Sequence, residues 1–372
     1  MATSQGIRVP SDDSDVPSDD RNVPPDDREI PWDHRDVPSD DRDVGVRAWA
    51  VTAVEAELHR QVAQLEDRDD LFDVIVADAL FPPGKLLRPV LCLLSAAAVG
   101  GDATELVPYA AGLEFLHVAS LIHDDIVDQD PVRRGRVSAA EHHGISEALL
   151  AGDGIIALGI RSLLGPPDGA VPAARSVDAY RVVADTAEHM ARAALKETEI
   201  RGDPNVSVAD GLAIIRGKTA GVLRGACRCG AVLAGASAAW TDSLSLYGLR
   251  LGMAFQIRDD LLPYTSTEHL AGKQPVSDVA NRQPTLPVLL AHAAADPGDR
   301  RLLTELFAGG DDSLAAHREL AALLERTGAL REAAHLATSY AEQARDALAD
   351  LPATESRDCL ADLAMTAAER DH

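Results

Sequence analysis

The sequence predicts an all-α protein, an antiparallel helical bundle whose long helices wall a central cavity. Three observations predict it. From Val46 onward apolar residues recur at spacings of three and four, punctuated by proline and glycine. No run of strictly alternating apolar and polar residues is long enough to argue for a sheet. Aromatics make up only 3% of the chain while Ala and Leu abound, as suits helices of small and straight side chains.

The elements follow in order. The first 44 residues are a different material: a seven-residue unit of the form Val-Pro-Ser-Asp-Asp-Arg-Asp starts at Val9, Val16, Val23, Ile30 and Val37. Proline at its second position forbids a coiled coil, because it removes a helix hydrogen bond in each unit and pushes its predecessor to extended geometry. The segment is predicted to be a disordered acidic tail, and its Asp-Asp pairs are decoys that no rigid helix holds for a metal. Residues 45–372 form the folded domain. Its helices are predicted over Ala48 to Leu65, Lys85 to Val99, Leu106 to Gln129, Ile145 to Leu164, Val177 to Ile200, Val208 to Gly235 and Asp242 to Leu262. Loops at Phe81-Pro-Pro-Gly, Gly165-Pro-Pro-Asp-Gly and Arg201-Gly-Asp-Pro separate them. Shorter helices follow Pro284, and those from about Asp299 to His372 cover the core without chemistry of their own.

Composition excludes some functions. A formal charge of -25 argues against nucleic-acid binding, which needs basic patches. Cys92, Cys227, Cys229 and Cys359 show neither zinc nor redox spacing and read as reduced thiols. The N-terminus carries no basic-then-apolar signal and no segment reads as a membrane span, so a soluble cytoplasmic protein is expected.

Two aspartate pairs carry the chemistry. They are Leu121-Ile-His-Asp124-Asp125-Ile-Val-Asp128 and Phe255-Gln256-Ile-Arg-Asp259-Asp260-Leu-Leu-Pro263, each ending an apolar helical run. Carboxylates beside apolar stretches need a cationic partner, and a metal is the strongest. On a helix Asp124 and Asp128 lie about 40° apart on one face, with Asp125 offset to the side. Such a pair suits Mg²⁺, which takes one or two carboxylates together with waters and phosphate oxygens. Arginines follow at Arg133 and Arg134, with Gly135 read as helix termination; Gly84-Lys85-Leu-Leu-Arg88-Pro89 lies upstream, and His117 precedes Asp124 by seven residues on nearly the same face. Gly217-Lys218-Thr219 and Gly272-Lys273 lie downstream. His142 and His143 lack the helical spacing of a metal pair and read as surface residues.

In that order and spacing, from about Val46 to about Ala291, the chain resembles the all-trans polyprenyl diphosphate synthases, of the geranylgeranyl diphosphate synthase type. The resemblance implies the isoprenoid synthase fold and a prenyltransferase that joins isopentenyl diphosphate to an allylic diphosphate. It implies that Asp124, Asp128 and Asp259 bind Mg²⁺, three ions per site, with Asp125, Asp260 and Lys218 also catalytic. By the same resemblance Arg133, Lys218, Thr219, Gln256 and Lys273 contact the allylic diphosphate. The resemblance likewise implies that Lys85, Arg88, His117 and Arg134 hold the isopentenyl diphosphate. A homodimer is likewise implied.

The chain departs from the family in its second acidic motif. Pro263 stands where a third aspartate is usual and is expected to break the helix. Gln283 stands where a lysine is expected, with Arg282 beside it as a possible substitute of different geometry. Small Ala119 and Ser120 lie five and four residues before Asp124, where the family places the floor of the product cavity, so the chain is expected to pass the fifteen-carbon stage toward geranylgeranyl diphosphate. A class I terpene cyclase and a non-catalytic partner subunit are the rival readings. Lys85, Arg88, His117 and Arg134 disfavour the cyclase, which needs no second anion pocket, and intact Asp124 and Asp128 disfavour the subunit.

Overall fold

The computed structural model describes residues 45–65, 70–166, 169–265, 281–309 and 313–369; the repeat tail and Lys273 lie outside them. The order begins α1 (Val46–Val62), α2 (Leu71–Leu80), α3 (Leu87–Ala98) and α4 (Val107–Asp128). A hairpin of β1 (Val132–Arg133) and β2 (Arg136–Val137) follows, then α5 (Ala139–His143), α6 (Ile145–Leu164), α7 (Ala173–Ile200) and α8 (Val208–Ile215). A π turn at Arg216–Ala220 joins α8 to α9 (Gly221–Ala234), which leads to α10 (Ala238–Thr265). The remainder is α11 (Leu286–Ala294), α12 (Pro297–Gly309), α13 (Leu314–Arg326), α14 (Ala329–Asp346) and α15 (Glu355–Glu369). The described residues are thus almost wholly helical, as the apolar spacing requires.

Local chemistry sets the helix ends. Asp70 accepts the Phe72 N–H at 3.0 Å to cap α2, and Ser207 and Ser313 cap α8 and α13 in the same way. Helix α4 stops at Gln129, whose left-handed φ of 57° turns the chain out just after Asp128. Packing then places α4 at the centre. It buries Tyr109, Phe115, Val118, Ala119 and Ile122 in a core shared with α1, α3, α6, α9 and α10. Each large apolar side chain so buried contributes roughly 1.5–3 kcal/mol. Helices α4 and α6 approach closely because both carry glycine at the crossing. A Cβ on Gly112 would stand 2.9 Å from the Gly159 carbonyl oxygen, inside van der Waals contact. A second core joins α11, α12, α13 and α14, and a third lies where α10 meets the π turn and α14.

Among the described residues only Thr104–Asp128 is long and apolar enough to cross a membrane, with mean hydropathy 1.2. It is a core helix: most of it is buried by its neighbours, and its end carries the first acidic motif. All four cysteines are free, and burial pushes the Cys227 and Cys229 thiols up to about 12.

The structure corrects several expectations. The helix predicted over Val208 to Gly235 is interrupted by the π turn, which inserts one residue per turn where Lys218 and Thr219 sit. Helix α10 runs through Pro263 to Thr265 instead of breaking. The proline lies in the last turn, where the loss of one backbone bond is tolerated more easily than in the middle. Gly135 does not terminate a helix. With Arg134 it forms the two-residue turn of the β hairpin, at φ 74° and 53°, the conformation that this tight reversal demands. Helices α2 and α5 were not anticipated, being short and flanked by polar residues.

Candidate active site

The C-terminal end of α4, the π turn and the C-terminal half of α10 converge. Asp124 and Asp128 are half-buried on one face of α4, while Asp125 points inward and is buried. Burial pushes the Asp124 carboxyl up, Lys218 pulls it back, and the charges of Asp128 and Glu197 push it further. Arg133 also draws the Asp124 carboxyl down, by less than Lys218 does. Asp128 accepts a hydrogen bond from Arg201 Nη2, and Lys218 donates to Glu197. Burial lowers Lys218, but Glu197 and Asp124 outweigh it and hold the ammonium above its ordinary range.

The second motif connects through the same lysine turn. Thr219 Oγ1 donates to Gln256 Oε1 at 2.7 Å, and Gln256 Nε2 donates to Asp260 Oδ1 at 2.9 Å. Asp260 also accepts the Leu286 N–H at 3.4 Å, which ties α10 to the start of α11. Asp259, three residues beyond Gln256, is exposed. Lys218, Thr219, Gln256, Asp260 and Gln283 line one cleft of about 190 Å³ together with Glu197. Asp260 of the second motif lines this cleft, and Asp124 of the first is coupled to it through the charges of Lys218 and Glu197, which line it too.

A separate cluster is cationic. Arg88 at the start of α3 has its Nε buried without a hydrogen-bond partner, and Glu114 on α4 has its Oε2 likewise buried and unpartnered. Burial lowers Arg88 to about 10, against the attraction of Glu114, and Arg134 lowers it further. Burial pushes the Glu114 carboxyl up, and Arg88 and Arg134 only partly offset it. His117, one turn after Glu114, is held well below its usual range by burial and then by Arg88, Arg134 and Arg133. It is a neutral imidazole there at physiological pH. Arg134 reaches back from the hairpin turn to lie against Gly84, where a Cβ would be 2.6 Å from its Nη1. Exposed Lys85 adjoins it.

The predicted residues thus divide into two groups that share the end of α4. Arg133 stands between them: its Nε donates to Asp125 Oδ1 at 2.7 Å, its Nη2 donates to the same oxygen, and Asp130 lies at 3.4 Å. In this arrangement Asp125 anchors Arg133 and does not share the face of Asp124 and Asp128. Arg282 does not replace the expected lysine. Its Nε donates to the Phe307 carbonyl at 3.0 Å, whereas Gln283 Nε2 enters the cleft and donates to Glu197 Oε1 at 3.1 Å. Sequence reasoning missed Glu114, Glu197 and Arg201. The one available signal was a glutamate in the apolar window three residues before His117; Glu197 and Arg201 lie among many polar residues around the end of α7.

Comparison with known proteins identifies the family. The family model described as Polyprenyl synthetase matches residues 70–324, and the chain belongs to that family. It is 34% identical over 289 residues to the short chain isoprenyl diphosphate synthase of Methanothermobacter thermautotrophicus, covering 78% of this chain and 87% of the relative. It is 31% identical to the octaprenyl diphosphate synthase of Haemophilus influenzae, covering 78% and 85%. Among solved structures, the geranylgeranyl pyrophosphate synthetase of Pyrococcus horikoshii superposes with a TM-score of 0.81 at 26% identity, over 87% of this chain and 98% of that one. The Caulobacter crescentus polyprenyl synthase complexed with calcium and isoprenyl diphosphate gives 0.78 at 30% identity, over 89% and 100%. The protein is a prenyl diphosphate synthase with the all-α isoprenoid synthase fold.

Proposed function

We propose that the protein joins isopentenyl diphosphate to an allylic diphosphate in a Mg²⁺-dependent reaction, with all-trans geranylgeranyl diphosphate as the main product. One observation carries the reading: an acidic cluster with a lysine and a separate cationic cluster around Arg88 are both built on one helix, α4. One anion pocket would serve a cyclase; two suit a condensation.

The donor set fits a hard cation, since Asp124, Asp128 and Asp259 offer only carboxylate oxygens. Asp124 and Asp128 would hold Mg²⁺ on one side and Asp259 on the other, and the metal would neutralise charge on the departing diphosphate. The chain's own groups do the rest. Lys218 stays cationic throughout and stabilises the leaving group as negative charge grows on it. Thr219 and Gln256 orient its oxygens, and Gln256 is itself held by Asp260. Arg88, Arg134 and Lys85 hold the second diphosphate, while neutral His117 contributes a hydrogen bond without adding charge. The allylic cation is attacked by the isopentenyl double bond, and the released diphosphate accepts the departing proton, so no side-chain base is needed.

Product length rests on Ala119, fully buried, and on Ser120, whose Oγ donates to the His117 carbonyl at 2.7 Å. Ala119→Phe is expected to shorten the product, and an unchanged chain-length distribution would refute the floor assignment. Exposed Leu71 and Val74 on α2 and Ile145, Leu149 and Leu150 on α6 support a homodimer, which light scattering on the purified chain tests.

The decisive experiment incubates the purified protein and Mg²⁺ with dimethylallyl, geranyl or farnesyl diphosphate, with and without isopentenyl diphosphate, and identifies products by mass. Elongation only when both partners are present is expected. Hydrocarbon or alcohol from the allylic compound alone would establish a cyclase instead.

A further inference from the structure

Sequence spacing alone dismissed His142 and His143 as a metal pair, since neighbours on a helix point about 100° apart. The structure brings a third donor from elsewhere in the chain. Asp78, in the last turn of α2, lies beside both, and one ligand atom from each of the three residues falls within 4.8 Å of the others. His143 Nε2 and Asp78 Oδ2 are 3.3 Å apart, close to the roughly 3.4 Å edge of a tetrahedron around a zinc ion with bonds of about 2.0–2.2 Å. Helix α5 ends at His143, and Gly144, at φ 107°, leaves the helix at once. Their ring centroids are 4.3 Å apart in an edge-on arrangement.

Burial separates the roles of the three donors. The His143 side chain is 10% exposed and the Asp78 side chain 51%, so one donor is fixed and a wet carboxylate faces it. His142 is exposed and has room to close the remaining gap by a rotamer change. The corner is braced independently, since Arg136 Nη1 donates to the Phe81 carbonyl at 2.6 Å and to the Asp78 carbonyl at 3.3 Å. That arginine engages backbone oxygens and leaves the Asp78 carboxylate free for another cation.

We propose that Asp78, His142 and His143 form a second divalent-cation site, separate from the Asp124 and Asp259 motifs, that takes a zinc-class ion and pins α2 to α5. Two imidazoles and a carboxylate suit Zn²⁺, Co²⁺ or Ni²⁺, whereas Mg²⁺ prefers an all-oxygen shell. Three protein ligands leave a fourth position to water. The ion would stiffen the corner where the Gly84-Lys85 loop leaves α2 and where the arginine hairpin enters α5.

Cobalt titration of the metal-stripped full-length protein tests this, with excess Mg²⁺ present to occupy hard-oxygen sites. Wild type should bind one equivalent more than His142→Ala, with visible d–d bands of a low-symmetry four-coordinate ion, and Zn²⁺ should displace it. His142→Ala retains Asp124, Asp128 and Asp259, so the difference isolates the new site. Asp78→Asn should lose the same equivalent, and Zn²⁺ should raise the unfolding midpoint of wild type but of neither variant. Equal cobalt uptake and equal spectra in wild type and His142→Ala would overturn the proposal and leave Asp78 and His143 as an ion pair. Neither outcome depends on prenyltransferase activity.

Discussion

Gly84→Ala probes the second diphosphate pocket without removing any charged group. Gly84 has no positive φ, so alanine accepts the backbone as it stands. The added Cβ, however, would lie 2.6 Å from Arg134 Nη1 and 2.7 Å from Cζ, where ordinary contact begins at 3.4 Å. The guanidinium must therefore withdraw by about 0.8 Å. Arg134 is exposed and sits on a two-residue hairpin, so it can retreat with little effect on folding, about 0.5 kcal/mol or less. Its position against the pocket is what changes. Loss of one charge-assisted hydrogen bond to a diphosphate weakens binding by about 1.5–3 kcal/mol, roughly a ten- to hundredfold rise in KM for isopentenyl diphosphate. The KM for the allylic partner should stay within about twofold, because Lys218, Thr219 and Gln256 are untouched. Steady-state kinetics with each substrate varied in turn makes the comparison. An unchanged KM for isopentenyl diphosphate, or an equal rise for both, would refute the assignment of Arg134 to the second pocket.

Glu114→Gln removes the acid that attracts Arg88 and Arg134 but also relieves the burial of a carboxylate, which outweighs that attraction, so the urea midpoint should stay level or rise. Inorganic pyrophosphate should add more stability to this variant than to wild type, and equal gains would show that Glu114 does not balance the arginines. His117 has its folded pKa depressed, so the unfolded chain takes up the proton first as pH falls. Its contribution is fully present above about 6.5 and is lost below, at up to about 1.4 kcal/mol per pH unit. His117→Asn should flatten the fall in urea midpoint between pH 7.5 and 5.5, and an unaltered slope would mean that His117 titrates normally. Pro263→Asp returns a backbone N–H to the last turn of α10 and adds a carboxylate beside Asp259. Half-maximal activity should then need several-fold less Mg²⁺, whereas an unchanged requirement would show that position 263 lies outside the metal clamp.

Much of this was legible in the sequence, for identifiable reasons. Helix α6 matches its predicted bounds at both ends because Gly144 and Gly165 flank an uninterrupted apolar period. Asp124 and Asp128 share a face because helical geometry alone dictates it. The π turn was invisible, since the apolar spacing on either side of Arg216–Ala220 reads as one helix and nothing in the sequence marks the extra residue. The hairpin was invisible for the opposite reason: two residues per strand are too few for an alternating pattern, although Arg134-Gly135 carried a turn signal.

What the sequence could not convey is which charges balance which. The acids of the first motif look equivalent as letters, yet the fold gives them different partners: Asp125 goes inward to Arg133, Asp128 to Arg201, and Asp124 toward Lys218. Arg201 and Glu197 come from α7 and its end, 73 and 21 residues away in sequence from the groups they bind. The same holds in the cationic pocket, where Glu114 appears from sequence to be an isolated charge on an apolar helix. Its role follows only once α3 and the hairpin turn bring Arg88 and Arg134 to it from opposite sides in sequence. Two charged clusters this close to the core therefore carry their own internal counter-ions, and these are residues that no single motif marks. Pro263 and Gln283 fit this view: with Glu197 held between Lys218 and Gln283, the cleft keeps an acid on α7 even though α10 lacks its third aspartate.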